Sequence, residues 1–261
     1  MKIIDIGINL MHRSFNEDRE AVVQSAIESG VSPLIITGTS ERSSVLAAKY
    51  ASSYPGKLYS TAGIHPHDAK SCTTDTIKNL KILTRKSCVV AIGECGLDYN
   101  RDFSPRETQR NCFEAQIELA CETGLPLFLH ERDAFDDFYG ILEKHQNDIS
   151  NMVVHCFTGQ KYQLEKYLEL GCHIGLTGWI CDERRGKHLP DLVKIIPKDR
   201  LMIETDAPFL IPRNLEKKPN NGRNEPQYLV HILDELAYYL DEDIDDLADC
   251  IYMNTKRFFN I

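Results

Sequence analysis

Short apolar runs alternate with amphipathic segments along almost the whole chain. The run from Val89 to Gly93 is small and β-branched, which is typical of a strand that is buried on both faces. Residues 17–28 instead place Val22 and Ala26 on one stripe, as in a helix that packs one face against a core. The alternation predicts a protein in which each strand is followed by a helix.

Repeating this pattern gives eight predicted strands, at residues 2–6, 34–37, 58–63, 89–93, 126–129, 152–154, 172–176 and 200–204. The predicted helices cover residues 17–28, 41–53, 74–84, 104–123, 133–147, 160–170, 189–196, 226–239 and 244–259. Ser104 is expected to cap the fourth helix, with Pro105 at its first position. The chain of 261 residues matches one (β/α)8 TIM barrel in size and shows no linker, so we expect one domain over residues 1–261.

Four predicted strands run into a residue that can bind a metal or carry a proton. Glu94 follows the fourth strand, His130 the fifth and His155 the sixth, and Asp206 lies just after the eighth. In a parallel barrel these strand ends converge on one mouth. Two imidazoles and two carboxylates suit a divalent metal that activates water. We expect Glu94, His130 and His155 to be metal ligands and Asp206 to be the general base or the hydrogen-bonding partner of the attacking water.

Further polar residues follow the third strand and end the eighth. His65 and His67 are candidates to protonate a leaving oxygen or to contact a phosphate, and the alternative is that either faces solvent from a loop. Pro66 disturbs the spacing of the pair, which favours His65 as the side chain that reaches the mouth. Glu204 is expected to support the ligands or the barrel floor.

Charge restricts the partners of the protein. The net charge of −9 argues against broad attraction to nucleic acid. Cations are nevertheless concentrated in the predicted loops after strands seven and eight, where they favour an anionic substrate such as a phosphodiester, although such residues can also be a solvated surface. These candidate substrate-binding residues are Arg184, Arg185, Arg213, Lys217, Lys218 and Arg223.

Cysteine spacing and apolar run lengths indicate a cytoplasmic enzyme. The nine cysteines form no Cys-x-x-Cys pair, which argues against a zinc knuckle or a disulfide framework. Cys95 and Cys156 adjoin Glu94 and His155, so a thiol nucleophile is an alternative, but no base is paired with either thiol. No apolar run has membrane-spanning length, and Met1 leads directly into a strand. We expect a cytoplasmic monomer.

Eight motifs spread over the chain resemble the TatD-type metal-dependent deoxyribonucleases. They are Asp5-Ile-Gly-Ile-Asn-Leu10, Ser60-Thr-Ala-Gly-Ile-His-Pro-His-Asp68, Ala91-Ile-Gly-Glu-Cys-Gly-Leu-Asp98, His130-x-Arg-Asp-Ala134, Val154-His-Cys-Phe-Thr-Gly159, Gly178-Trp-Ile-Cys-Asp-Glu-Arg-Arg185, Ile203-Glu-Thr-Asp-Ala-Pro208 and Arg223-Asn-Glu-Pro226. The resemblance extends from Met1 to the last predicted helix. Together the motifs are highly specific.

The resemblance implies a TIM barrel with magnesium-dependent 3′→5′ exonuclease activity on single-stranded DNA and RNA, and a role in DNA repair. It also implies metal binding by Glu94, His130 and His155. By motif position it assigns active-site roles to three more residues, which are His65, His67 and Asp206.

The first strand departs from the wider family. Many relatives have His-x-His where this chain has Gly7 and Asn9. Glycine offers no ligand and a neutral amide is a weak one, so we expect one tight metal rather than two. Two rival functions remain: a barrel amidohydrolase or lactonase acting on a small ester or amide, and a binding protein that has lost catalysis. Barrel amidohydrolases and lactonases commonly use the first-strand histidines that this chain lacks. A protein that has lost catalysis does not explain why every candidate ligand is chemically competent.

Overall fold

Eight parallel strands form one sheet in the order of the sequence. The computed structural model describes residues 1–219 and 222–261. The strands are β1 (Ile3–Ile8), β2 (Val31–Ile36), β3 (Leu58–Ala62), β4 (Val89–Asp98), β5 (Leu127–Arg132), β6 (Met152–Val154), β7 (His173–Leu176) and β8 (Leu201–Ile203). Each consecutive pair is parallel.

Helices alternate with these strands. They are α1 (Arg19–Glu28), α2 (Glu41–Ala51), α3 (Thr74–Leu83), α4 (Arg106–Thr123), α5 (Phe135–His145), α6 (Lys161–Glu169), α7 (Leu189–Val193), α8 (Leu229–Leu240) and α9 (Ile244–Phe259). The predicted (β/α)8 barrel is therefore confirmed. None of the helices in the described ranges is long and apolar enough to cross a membrane.

The barrel closes where the chain leaves β8 and meets β1. The amide of Asp206 donates to the carbonyl of Gly7 at 2.9 Å, and the amide of Asn9 donates to the carbonyl of Ala207 at 2.8 Å. These two hydrogen bonds form the seam of the barrel. They place the segment after β8 directly beside the end of β1.

Apolar side chains pack on both sides of the sheet. The larger cluster joins the outward strand residues to the helices. The smaller one contains Ile4, Ile6, Phe128 and Met202 together with Phe258 of α9. Side chains of alternate strands fill the interior of such barrels, so the interior is a packed core rather than a channel. The polar functional residues therefore lie at one end of the barrel, after the strands.

Two local expectations differ from the structure. The strand β4 does not stop before Glu94 but continues to Asp98, with an irregular register against β5 between Ile92 and Cys95. Ser104 does not cap α4, which begins at Arg106 and has no side-chain cap. Its buried hydroxyl instead donates to the carbonyl of His67 at 2.9 Å, so it holds the segment after β3.

Candidate active site

The six residues predicted to act in catalysis or metal binding line one cavity of about 650 Å³ at the mouth of the barrel. Glu94 and His130 lie within β4 and β5, and His155 directly follows β6. The remaining three come from segments after β3 and β8, and they are His65, His67 and Asp206. The strand ends therefore converge as the sequence indicated.

Glu94 is the centre of this cluster. Its Oε1 atom lies 2.8 Å from His155 Nε2, 2.9 Å from His130 Nδ1 and 3.3 Å from His65 Nε2. Burial alone would raise the pKa of this carboxyl, but the positive charges of His155 and His65 and the hydrogen bonds from His130 and His155 hold it well below its usual value. The carboxylate is therefore charged and surrounded by imidazoles.

The atoms of the three predicted ligands are close enough to share one ion. His130 Nδ1 lies 3.4 Å from His155 Nε2, and both contact Glu94 Oε1. Ligand atoms of His65, Glu94 and His130 likewise lie within 4.8 Å of one another. In addition, the buried Nε2 of His130 has no hydrogen-bond partner within the described chain. A site built from imidazoles and a carboxylate fits a divalent metal, and His65 is an additional candidate ligand.

Glu204 supports the far side of His155. This fully buried residue places Oε2 at 3.3 Å from His155 Nδ1, while Oε1 accepts a 2.6 Å hydrogen bond from the amide of Cys156. Although burial would lower the pKa of His155, the charges of Glu94 and Glu204 raise it well above its usual value. Glu204 thus fixes the orientation of the imidazole that faces the cavity.

Asp98 belongs to the site but was not recognised in the sequence. Its Oδ2 lies 2.7 Å from His67 Nε2 and 3.6 Å from His130 Nε2. Burial would raise the pKa of Asp98, but the neighbouring imidazole of His130 and the hydrogen bond with His67 lower it well below its usual value. The signal that could have found it is the Gly-Leu-Asp segment after Glu94, which remains part of β4.

Asp206 is partly buried in the cavity and is held by Asn9, which directly follows β1. The side-chain amide of Asn9 donates to Asp206 Oδ1 at 2.8 Å. Burial raises the pKa of Asp206 to about 8; the negative charges of Glu94 and Glu204 act in the same direction, while the positive charge of His155 opposes them. A cation placed beside this carboxyl would lower its pKa and favour the ionised form that a general base needs.

Of the cations predicted to bind substrate, Arg185 lines a second cavity of about 620 Å³ beside the first. Others are engaged with acids: Arg213 Nε is 3.6 Å from Asp182, Arg184 Nε is 3.7 Å from it, and Arg223 contacts Asp18 at 2.7 Å. Lys217 and Lys218 are exposed. Phosphate binding by these residues stays a prediction.

Two arginines that sequence reasoning missed line the first cavity. Arg132 lies two residues after His130 on β5 and also lines the second cavity, and Arg13 follows β1. The period of a strand puts residues two apart on the same face, so the position of Arg132 relative to His130 was a usable signal. No such pattern marks Arg13.

The alternative of a thiol nucleophile finds no support in the environment of either candidate. Cys95 is fully buried, and burial raises the pKa of its thiol far above neutrality. For Cys156, burial together with the charges of Asp206 and Glu204 raises the pKa to about 12, against the opposing charge of His155. Thiols with such pKa values are not ionised at neutral pH and are therefore poor nucleophiles.

A family model described as TatD related DNase matches residues 4–260. The chain belongs to the TatD family. It is 49% identical over 257 residues to the 3′-5′ ssDNA/RNA exonuclease TatD of Rahnella sp. strain Y9602, with 98% of each chain covered. It is 46% identical over 259 residues to the protein of the same name from Pectobacterium parmentieri, and this alignment covers 99% of this chain and 100% of the relative. The resemblance read from the motifs is confirmed.

Solved structures of TatD relatives have the same barrel. The TatD homologue YJJV of Escherichia coli K12 superposes with a TM-score of 0.90 at 29% identity, covering 99% of this chain and 98% of that one. A hydrolase of the TatD family from Entamoeba histolytica gives a TM-score of 0.89 at 27% identity, with the same shares covered. The (β/α)8 architecture of this TatD-family chain is thus shared along its full length.

Proposed function

We propose that this TatD-family protein is a divalent-metal-dependent phosphodiesterase that removes nucleotides from the 3′ end of single-stranded DNA and RNA. The observation that carries the proposal is the contact of one Glu94 oxygen with two imidazoles, at 2.8 Å to His155 and 2.9 Å to His130. The names of the relatives from Rahnella and Pectobacterium supply the substrate class and the direction.

The residues of the cavity have different roles in the proposed hydrolysis. Glu94, His130 and His155 would hold the ion, and His65 is close enough to join them. The bound ion supplies Lewis-acid activation of the phosphate and lowers the pKa of water. Asp206 takes the proton of the attacking water, and the 2.8 Å hydrogen bond from Asn9 orients its carboxyl group.

The opposite side of the cavity suits the leaving group. His67 Nε2 is held at 2.7 Å by Asp98, and His65 lies with its ring centroid 4.2 Å from that of His67. His67 can donate a proton or a hydrogen bond to the oxygen that leaves the phosphorus, and His65 can do so when it does not hold the ion. Arg132 and Arg13 line the same cavity, where a guanidinium can pair with phosphate oxygens.

Magnesium is the metal we propose. Glu94 offers carboxylate oxygens in the cavity, and the phosphate of the substrate would add oxygen ligands, which suit Mg²⁺. We further propose a cytoplasmic monomer that acts in DNA repair. One chain supplies all six candidate residues, none of its nine cysteines forms a disulfide, and unpaired 3′ ends are the substrates expected of a repair nuclease.

The test is a nuclease assay of the purified protein with Mg²⁺ or with chelator. Single-stranded DNA, single-stranded RNA, blunt duplex and circular single-stranded DNA are each incubated after labelling at the 5′ end or internally. We expect progressive shortening from the 3′ end of linear single strands, no cleavage of circles, and no reaction in chelator. Activity that persists in the purified Glu94→Gln variant would indicate a contaminating nuclease.

The same preparation tests the rival hydrolase. A chromogenic ester and a simple lactone are offered under identical conditions, because the same ligand types can activate water for acyl transfer. Turnover of these compounds without turnover of nucleic acid would replace the nuclease proposal by an amidohydrolase or lactonase. Light scattering on the sample tests the monomer.

A further inference from the structure

Two aromatic side chains line the cavity without a role in the proposed chemistry. Phe209 is 48% exposed, although large apolar side chains are normally buried. Trp179 is partly buried and lines both cavities at the mouth, so it lies where the two meet. The first cavity also contains the Glu94 cluster. A ligand bound at the cluster therefore lies in the same cavity as these aromatic surfaces.

The loops that carry the two side chains pack against each other. The loop after β7 packs so closely on the loop after β8 that a Cβ atom at Gly178 would lie 2.3 Å from the carbonyl oxygen of Leu210. The amide of Phe209 donates to the Asp206 carbonyl at 3.0 Å, and its carbonyl accepts from the side chain of buried Asn224 at 2.7 Å. The two loops that carry the aromatics are thus packed together, and the backbone of Phe209 is bonded to that of Asp206.

We propose that Trp179 and Phe209 form a stacking subsite for unpaired bases of the strand whose phosphate reaches the Glu94 cluster. The inference rests on the proposed nuclease function and adds how a single strand is selected. Aromatic side chains bind single strands by stacking on base faces, which is tolerant of sequence because every base has such a face. In a duplex those faces are already covered by neighbouring base pairs.

The charge beside Trp179 supports a nucleotide rather than an apolar ligand. The guanidinium carbon of Arg185 lies 5.7 Å from the centre of the Trp179 ring, and this arginine is exposed in the second cavity. A base on the indole would therefore have a cation beside its own phosphate. His12 contacts Phe209 edge-on with ring centres 5.5 Å apart, which leaves the Phe209 ring supported from one side.

The chain contains a single tryptophan, so fluorescence excited at wavelengths that its eleven tyrosines do not absorb reports on this subsite alone. The protein is titrated in Mg²⁺ with a single-stranded oligonucleotide whose phosphorothioate linkages resist hydrolysis, and with an abasic oligonucleotide of the same length and linkage. We expect the base-bearing strand to quench Trp179 and to bind about 10-fold more tightly than the abasic one, in line with the usual strength of base stacking on aromatic side chains.

Variants test the contribution of Phe209. Phe209→Leu should weaken binding of the base-bearing strand and raise KM by about 5- to 10-fold with little change in kcat, and should leave the abasic strand unaffected. Phe209→Tyr should retain the wild-type preference. Tyr238→Leu is the matched control, because Tyr238 is an aromatic residue on α8 that is 79% exposed and lines neither cavity.

The outcomes separate this inference from the proposed function. Equal quenching by the abasic strand, or a Phe209→Leu variant that behaves like Tyr238→Leu, overturns the stacking subsite while hydrolysis of single strands by the wild type still supports the nuclease. Absence of that hydrolysis in Mg²⁺ overturns the proposed function, whatever the fluorescence shows.

Discussion

Glu204 occupies the space that any side chain at Gly7 would need. A Cβ atom at Gly7 would lie 2.2 Å from Glu204 Oε2 and 2.9 Å from the Phe128 ring. Because the same carboxylate contacts His155 at 3.3 Å, the missing side chain on β1 is part of the arrangement that orients a candidate ligand. In this TatD-family chain, the absence of a side chain at Gly7 thus leaves room for the buried carboxylate of Glu204 next to the site.

Replacing Gly7 by Ala should disturb both stability and activity. The added methyl group must displace Glu204 or the Phe128 ring, and such overpacking costs about 1–3 kcal/mol of unfolding free energy. Urea denaturation measures this change, and the nuclease assay should show lower turnover because His155 loses its support. Gly140→Ala is the control: that glycine lies in α5 with nothing within 4 Å of the new methyl group, so the variant should be about 0.5–1 kcal/mol more stable.

One tight metal ion is expected in the protein without nucleotide. Where relatives have two histidines, this chain supplies only the Asn9 amide, which already donates to Asp206, and Glu204 fills the space above Gly7. A second ion would therefore depend on phosphate oxygens to complete its coordination. Titration calorimetry with Mg²⁺ should give about one site, and a second only with a non-hydrolysable nucleotide present. Two tight sites without nucleotide would contradict this prediction.

Substitution of the predicted ligands should abolish turnover and leave the barrel intact. We expect Glu94→Gln, His130→Ala and His155→Ala each to lower kcat by a factor of about 10² or more, since the ion positions and activates the reactants. Circular dichroism checks the fold. His145→Ala, at the end of α5 and outside both cavities, is the matched control and should keep full activity.

The strand ends could be predicted from the sequence because short β-branched runs stop at polar residues. This pattern brought Glu94, His130 and His155 together correctly. Asp98 was missed because β4 continues past Glu94 through an irregular register, which apolar periodicity does not encode. The pairing of Arg223 with Asp18 was missed because the two residues are 205 positions apart in the sequence. Such pairs depend on how loops meet in space.

Loop lysines and Arg223 should respond differently to neutralisation. Lys217 and Lys218 are exposed. If they contact phosphate, Lys217→Gln and Lys218→Gln should each reduce the slope of log K against log salt concentration for single-strand binding by about 0.7. Arg223→Gln should instead lower the unfolding free energy by about 1–3 kcal/mol, because it leaves Asp18 and Glu225 without their shared partner. Fluorescence anisotropy at several salt concentrations and urea denaturation separate the two effects. An unchanged slope would assign the lysines to the solvated surface.

His173 should make stability depend on pH. Burial, with the charge of Arg200, lowers the pKa of this imidazole to about 4 in the folded protein, against 6.5 for the free side chain. As the pH falls, His173 therefore takes up a proton in the unfolded chain before it does so in the folded protein. Its contribution to the free energy of unfolding is complete above pH 6.5 and declines as the pH falls toward 4, by up to about 3 kcal/mol. Urea denaturation across this range should show a weaker decline in His173→Gln. The partly exposed His145→Gln serves as the control and should retain the wild-type pH dependence.

The seam of the barrel bears on the stage of folding at which the enzyme becomes able to cleave nucleic acid. Asn9 and Asp206, which meet there, are 197 positions apart in the chain. Contacts between such distant segments carry the largest loop-closure cost and are expected to form late in folding. A chain with most of its strands paired but the seam open would lack the oriented Asp206. We therefore expect partly folded molecules to be harmless to nucleic acid, with cleavage beginning only when the barrel has closed.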